Sequence, residues 1–239
     1  MRFFVVGDVH GYDEPFYRLL KHWNVDKDKL IQLGDMIDRG PNSLDVLRRM
    51  MHLNKAYGAE VIMGNHEEHL LTFLEFPDSE AQIYYPIGGD RTLHSFVGEK
   101  VAYSRTPQYI ADYVTYHFQE EIAFLRTLPS YVEYGDWVFV HGGVNLNLRD
   151  WRQSSDADFR RHKNQFWHEK NDHGKTFVFG HIATSNLHQE PQNHNIWVSP
   201  CQTKIGIDGS IVEQDGKLHG LHINGTSYEV VSVTHGEVK

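Results

Sequence analysis

The chain has 239 residues, 40% of them hydrophobic and 23% charged, with a net charge of −9 and a single cysteine. That is enough apolar material for one well-buried domain, expected to run over residues 1–239. The acidic balance argues against a nucleic-acid backbone as partner. Cys201 has no internal disulfide partner, which fits a reducing compartment. No apolar run approaches the ~18 residues of a membrane span, and the chain runs from Met1-Arg2 straight into a strand-like segment, so a cytoplasmic location is expected.

Residues 3–6 form a short apolar run that reads as a buried strand, followed by Gly7-Asp8-Val9-His10-Gly11. Residues 14–23 read as a helix with Pro15 in its first turn and Phe16, Leu19, Leu20 and Trp23 on one face. A second strand over 29–33 leads into Gly34-Asp35-Met36-Ile37-Asp38-Arg39-Gly40, which packs two carboxylates and a guanidinium into one tight turn. A helix is expected over 43–53, and a third strand over 60–63 ends at Gly64-Asn65-His66-Glu67, with a further helix over 68–76. Strand, polar motif and helix thus recur three times, which predicts an α/β layout with largely parallel strands. Ligands in such sheets gather beyond the carboxyl ends of strands, where all three motifs lie.

Residues 77–130 differ. Their helical pattern, strongest over 107–128, reads as an insert or cap over one end of the sheet. Strands resume at 131–134 and 137–140, the second ending in His141-Gly142-Gly143. A polar, irregular stretch over 145–175 precedes a strand at 176–179 that ends in Gly180-His181. The tail reads as β over 204–207, 218–223 and 227–234. The expected fold is therefore α/β: two mixed sheets packed face to face as a β-sandwich, flanked by helices.

Five strand ends carry Asp8 and His10, Asp35 with Asp38 and Arg39, Asn65 and His66, His141, and His181. These oxygen and nitrogen donors, without thiolates, suit Mn, Fe or Zn better than Ca. They outnumber the needs of one ion, and two ions sharing a carboxylate would use them fully.

In this order the five motifs resemble the signature of calcineurin-like metallophosphoesterases, especially the bacterial phosphoprotein phosphatase branch. Gly88-Gly89 with Thr92-Leu93, and residues 204–209, look like that branch too. The resemblance implies two divalent metal ions, with Mn favoured. Asp8 and His10 would hold one, Asn65, His141 and His181 the other, and Asp35 would bridge them. A hydroxide held between the ions would attack phosphorus. Arg39 and Asn65 would hold the phosphate, His66 would protonate the leaving oxygen, and Asp38 would orient His66.

Two departures from the family pattern stand out. Ile182 follows His181 where relatives often carry a threonine. Relatives also carry a Trp-x-Arg-Glu-like stretch whose arginine clamps phosphate; the best match here, Phe166-Trp167-His168-Glu169, puts His168 in that place, with Arg160, Arg161 or Lys163 as possible substitutes. The main expectation is a serine/threonine protein phosphatase-like enzyme acting on phosphate monoesters. The alternatives are a dinucleoside tetraphosphate hydrolase and a low-turnover protein that binds metal and phosphate.

Overall fold

The structure is a computed structural model that describes residues 1–161 and 166–236. In chain order the elements are β1 (Arg2–Val6), α1 (Asp13–Leu20), β2 (Asp28–Gln32), α2 (Ser43–Tyr57), β3 (Glu60–Val61) and α3 (Asn65–Glu75). The helices α4 (Pro77–Tyr84), α5 (Gly89–Val97), α6 (Glu99–Ser104), α7 (Pro107–His117) and α8 (Gln119–Arg126) follow. Then come β4 (Tyr131–Tyr134), β5 (Trp137–Val140), α9 (Asp156–Arg161), β6 (Thr176–Ala183) and α10 (Thr184–His188). The chain closes with β7 (Trp197–Val198), β8 (Lys204–Asp208), β9 (Lys217–Asn224) and β10 (Ser227–Thr234).

Among the described residues, ten strands form two five-stranded sheets, β10-β9-β1-β2-β3 and β4-β5-β6-β8-β7. In the first, β1, β2 and β3 run parallel, while β9 and β10 pair antiparallel at the other edge. In the second, β5, β6 and β8 run parallel between antiparallel edge strands β4 and β7. Parallel strands buried on both faces are apolar throughout, and β1 follows this rule. Phe3 and Val5 join Ile31, Phe139, Ile205 and Leu221 between the sheets, whereas Phe4 and Val6 join Phe16, Leu19 and Val46 beneath the helices. Val138, Val140, Phe177 and Phe179 face the other way, into a third cluster on the outer side of the second sheet. The two-sheet α/β sandwich expected from the sequence is the fold observed.

Several boundaries moved for local reasons. Helix α3 begins at Asn65, three residues before the helix read from periodicity, because the Glu67 carboxylate accepts the Gly64 N–H at 3.0 Å and caps the first turn. Strand β6 runs past Phe179 to Ala183 through a register irregularity, so His181 sits at a bulge rather than beyond the strand's end. The stretch over 145–175 holds the short helix α9, anchored by Phe159 in the outer core.

Candidate metal centre and phosphate site

The carboxyl ends of β1, β2, β3 and β5 and the bulge of β6 bring the predicted donors together. Asp35 lies at the middle. Its Oδ2 is 3.8 Å from both His10 Nε2 and His66 Nε2, while its Oδ1 is 3.2 Å from His141 Nε2. Two donor clusters therefore share it: His10, Asp35 and His66 on one side, and Asp35, His141 and His181 on the other. Asn65 joins the second through its Oδ1, 3.0 Å from His141 Nε2.

The imidazoles are aimed by their other nitrogens. His10 Nδ1 donates to the Ile37 carbonyl at 3.0 Å and His141 Nδ1 to the Leu33 carbonyl at 2.8 Å, so each Nε2 faces the centre. Backbone conformation is spent on the same end: His10, Asp35, Asp38, Arg39 and His181 all take positive φ, between 49° and 71°. Non-glycine residues adopt that region only when their surroundings hold them there.

Does this pocket suit metal? Asp8 answers directly. It is buried, its Oδ2 accepts the His181 N–H at 2.9 Å, and its Oδ1 has no hydrogen-bond partner. A Cβ at Gly180 would stand 2.1 Å from that oxygen, so only glycine permits the approach. Burial, then the charge of Asp208, pushes the Asp8 carboxyl well above its usual range, as expected where a cation is needed to hold the charge. Burial, with His66 and Arg39 beside it, holds His10 well below the histidine range and keeps it in the neutral, ligating form. Burial would raise Asp35, but His141 and His66 outweigh it and keep the carboxyl well below normal. The residues fit two divalent ions sharing Asp35.

Beside the donors stands the pair expected to handle the proton. His66 Nδ1 is 2.7 Å from Asp38 Oδ2, and both side chains are buried. Burial works against charge on His66, yet the Asp35 charge and the Asp38 hydrogen bond raise its pKa above the ordinary value. Arg39 spreads its fork across the entrance, Nη1 3.1 Å from His10 Nε2 and Nη2 3.1 Å from His66 Nε2.

The sequence reading missed what holds this pair. Tyr84 and Thr92, from the helical segment, donate to Asp38 Oδ1 at 2.8 and 2.6 Å. The Gly88 carbonyl accepts the Arg39 N–H at 3.0 Å, and a Cβ on Gly88 would meet the Arg39 backbone at 2.7 Å. Glu67 was left aside as well. Its buried carboxylate accepts the N–H groups of Asp35 and Met36 at 2.9 and 2.8 Å, locking the second motif to the third. No local pattern marks Tyr84. Thr92 and Glu67 stood inside recognised motifs, but without an assigned partner.

The expected second clamp looks different. His168 is exposed. Phe166 is the buried anchor of its segment, and the neighbouring Trp167 lines a cleft of about 480 Å³ with Arg39, His181, Ile182, Asp208 and Glu213. Arg160 and Arg161 both pair with Glu68 on α3; Arg160 also reaches Asp156 at 3.3 Å, and Arg161 lies 3.3 Å from His69. Lys163 lies outside the described residues. Ile182 is nearly buried and packs in the outer core, where a threonine hydroxyl would lack that apolar company.

Residues 1–208 match the family model described as calcineurin-like phosphoesterase. A symmetrical bis(5'-nucleosyl)-tetraphosphatase of Chromobacterium violaceum is 41% identical over 78 residues, 31% of this chain and 27% of that protein. Its counterpart in Hamiltonella defensa is 46% identical over 70 residues, 28% of this chain and 25% of that one. The matched stretch thus spans about a quarter of these relatives' length. Among solved structures, a candidate diadenosine tetraphosphatase superimposes with a TM-score of 0.64 at 21% identity, over 98% of this chain and 95% of the other. A protein serine/threonine phosphatase from Saccharomyces cerevisiae gives 0.61 at 14% identity, over 100% and 82%. At these identities the two structures speak for the fold.

Proposed function

The chain belongs to the calcineurin-like phosphoesterase family, and from that premise we propose that it hydrolyses the central phosphoanhydride of dinucleoside tetraphosphates. Water adds across one P–O–P linkage and two nucleoside diphosphates leave. The relatives named for symmetrical tetraphosphate cleavage favour this reading over the protein phosphatase that the sequence first suggested. The observation that carries it is the meeting of two donor clusters at Asp35, directly beside Arg39 and the His66–Asp38 pair.

When bound, two divalent ions would supply Lewis acidity and lower the pKa of water; Asp8 and His10 would hold one, Asn65, His141 and His181 the other, and Asp35 both. We favour Mn among the metals that such donors accept. Arg39 takes two phosphate oxygens in its fork, which suits a tetrahedral anion better than a lysine would. The Asn65 side-chain N–H would add a neutral donor to the phosphate while its Oδ1 faces His141. His66 delivers its Nε2 proton to the departing phosphate oxygen while Asp38 holds Nδ1.

The test is a comparison of substrates. The chain loaded with Mn is assayed against diadenosine tetraphosphate, a phosphoserine peptide and p-nitrophenyl phosphate. Expected is a kcat/KM for the dinucleotide at least about tenfold above that for the peptide, with ADP the sole nucleotide product. The reverse preference would restore the protein phosphatase reading, and no turnover of any of the three would leave a metal- and phosphate-binding protein.

A further inference from the structure

Trp167 lines the cleft beside Arg39, and the segment that carries it is tied down. Phe166 is fully buried, its ring 5.5 Å from Phe177 and 5.3 Å from Phe179. Behind the next turn lies Lys204, a fully buried lysine on β8. Its ammonium donates to the carbonyls of Phe166 at 2.8 Å and Trp167 at 3.3 Å, and to that of Glu169. A buried ammonium is costly unless its donors are satisfied, and here three carbonyls of one short segment meet it. The segment that carries Trp167 is thereby fixed at the cleft, whose other lining includes Arg39, His181, Asn186 and Glu213. At about 480 Å³ the cleft has the size of a small-ligand site.

We propose that Trp167 is a stacking platform for the nucleobase attached to the phosphate that Arg39 holds. The inference rests on the dinucleotide reading above and names its specificity-determining residue. A base has a flat π face, which an indole accepts without regard to which base it is. The amide of Asn186 and the carboxylate of Glu213 offer hydrogen-bonding edges for base or ribose.

Three proteins decide the matter: wild type, Trp167→Ala and Trp167→Phe. ADP and inorganic pyrophosphate are titrated as inhibitors of p-nitrophenyl phosphate turnover, and the ratio of their inhibition constants is compared. Trp167→Ala should shift that ratio against ADP by about tenfold or more, the size of one lost base stack, and Trp167→Phe should recover part of it. ADP should also quench tryptophan emission in metal-stripped wild type but not in Trp167→Phe. Lys204→Met, which touches no ligand, should weaken the quench by releasing the segment. An unchanged inhibition ratio and an unchanged quench in the Trp167 variants would overturn the platform, even with a wild type that cleaves diadenosine tetraphosphate. A wild type that ignores diadenosine tetraphosphate while retaining a Trp167-dependent quench would overturn the proposed reaction and leave the nucleotide platform standing.

Discussion

The strand-end turns and the helical segment α4–α8 meet at Asp38 and Arg39 and differ in almost everything else. In the turns, five site residues hold positive φ, and buried carboxylates and imidazoles crowd around Asp35. Among the described residues, no non-glycine position of the helical segment has positive φ, and its buried face is ordinary packing by Tyr84, Leu93, Phe96, Ile110 and Val114. On the proposed reading the strained region carries the chemistry; the relaxed one supplies the Tyr84 and Thr92 donors to Asp38 and the Gly88 carbonyl that accepts the Arg39 N–H. Strain at a site persists only where a rigid neighbour over-determines it. The segment first read as a cap is, on this view, part of the site's support.

The contrast is broken most severely at Asp35. Asp35→Asn should lower turnover of every phosphate substrate by about three orders of magnitude, the several kcal/mol that metal-assisted charge stabilisation is worth. Metal analysis of the purified variant should find fewer than two ions per chain. Full activity with two ions retained would mean that Asp35 does not bridge.

The next effects separate support from chemistry. His66→Asn should cost about two orders of magnitude on a phosphoserine peptide and less on diadenosine tetraphosphate, because a nucleoside diphosphate is a weakly basic leaving group that needs little protonation. Tyr84→Phe removes a neutral donor from a buried carboxylate, worth about 1.5–3 kcal/mol. It should lower kcat by about tenfold with the same leaving-group bias and with both metals kept. Equal losses on both substrates, with unchanged metal content, would reduce Tyr84 to packing.

The smallest effect on turnover is expected at His219 on β9, whose ring is held by neighbours outside the donor clusters. Its Nε2 donates to the His194 carbonyl at 2.6 Å and its Nδ1 lies 2.8 Å from the Ser232 hydroxyl. Burial lowers its pKa to about 4, so folding favours the neutral ring. The sign follows: its contribution is complete above pH ~6.5, where the unfolded histidine is also neutral, and is lost as pH falls towards the folded value. Urea unfolding at pH 7.5 and 4.5 should show a wild-type loss that exceeds that of His219→Gln by up to about 3 kcal/mol, with p-nitrophenyl phosphate turnover at pH 7.5 little altered. An identical pH slope in the two proteins would mean the ring does not titrate on unfolding.

Much of this architecture was legible in the chain. Strands β4, β5 and β10 fall where the apolar pattern put them, and the doubly buried β1 announced itself by an unbroken apolar run. That these polar residues gather at strand ends was legible too, since glycines and polar residues there are local signals and recur in order. Strand β7, two residues long, and helix α10, five residues long, were missed because so few residues carry no period.

By itself, then, the sequence determined the layer order, the strands that end at the site and the residue types gathered there. These depend on periodicity and turn chemistry within a few residues. Only the tertiary structure decided that Asp35 turns one oxygen to His10 and His66 and the other to His141, that Tyr84 and Thr92 secure Asp38, and that Trp167 rather than His168 lines the cleft. Each of these joins segments far apart in the chain. Their meeting is set by the register of one sheet on the other and by a buried lysine 35 to 38 residues away from the carbonyls it holds, distances over which no local pattern carries information.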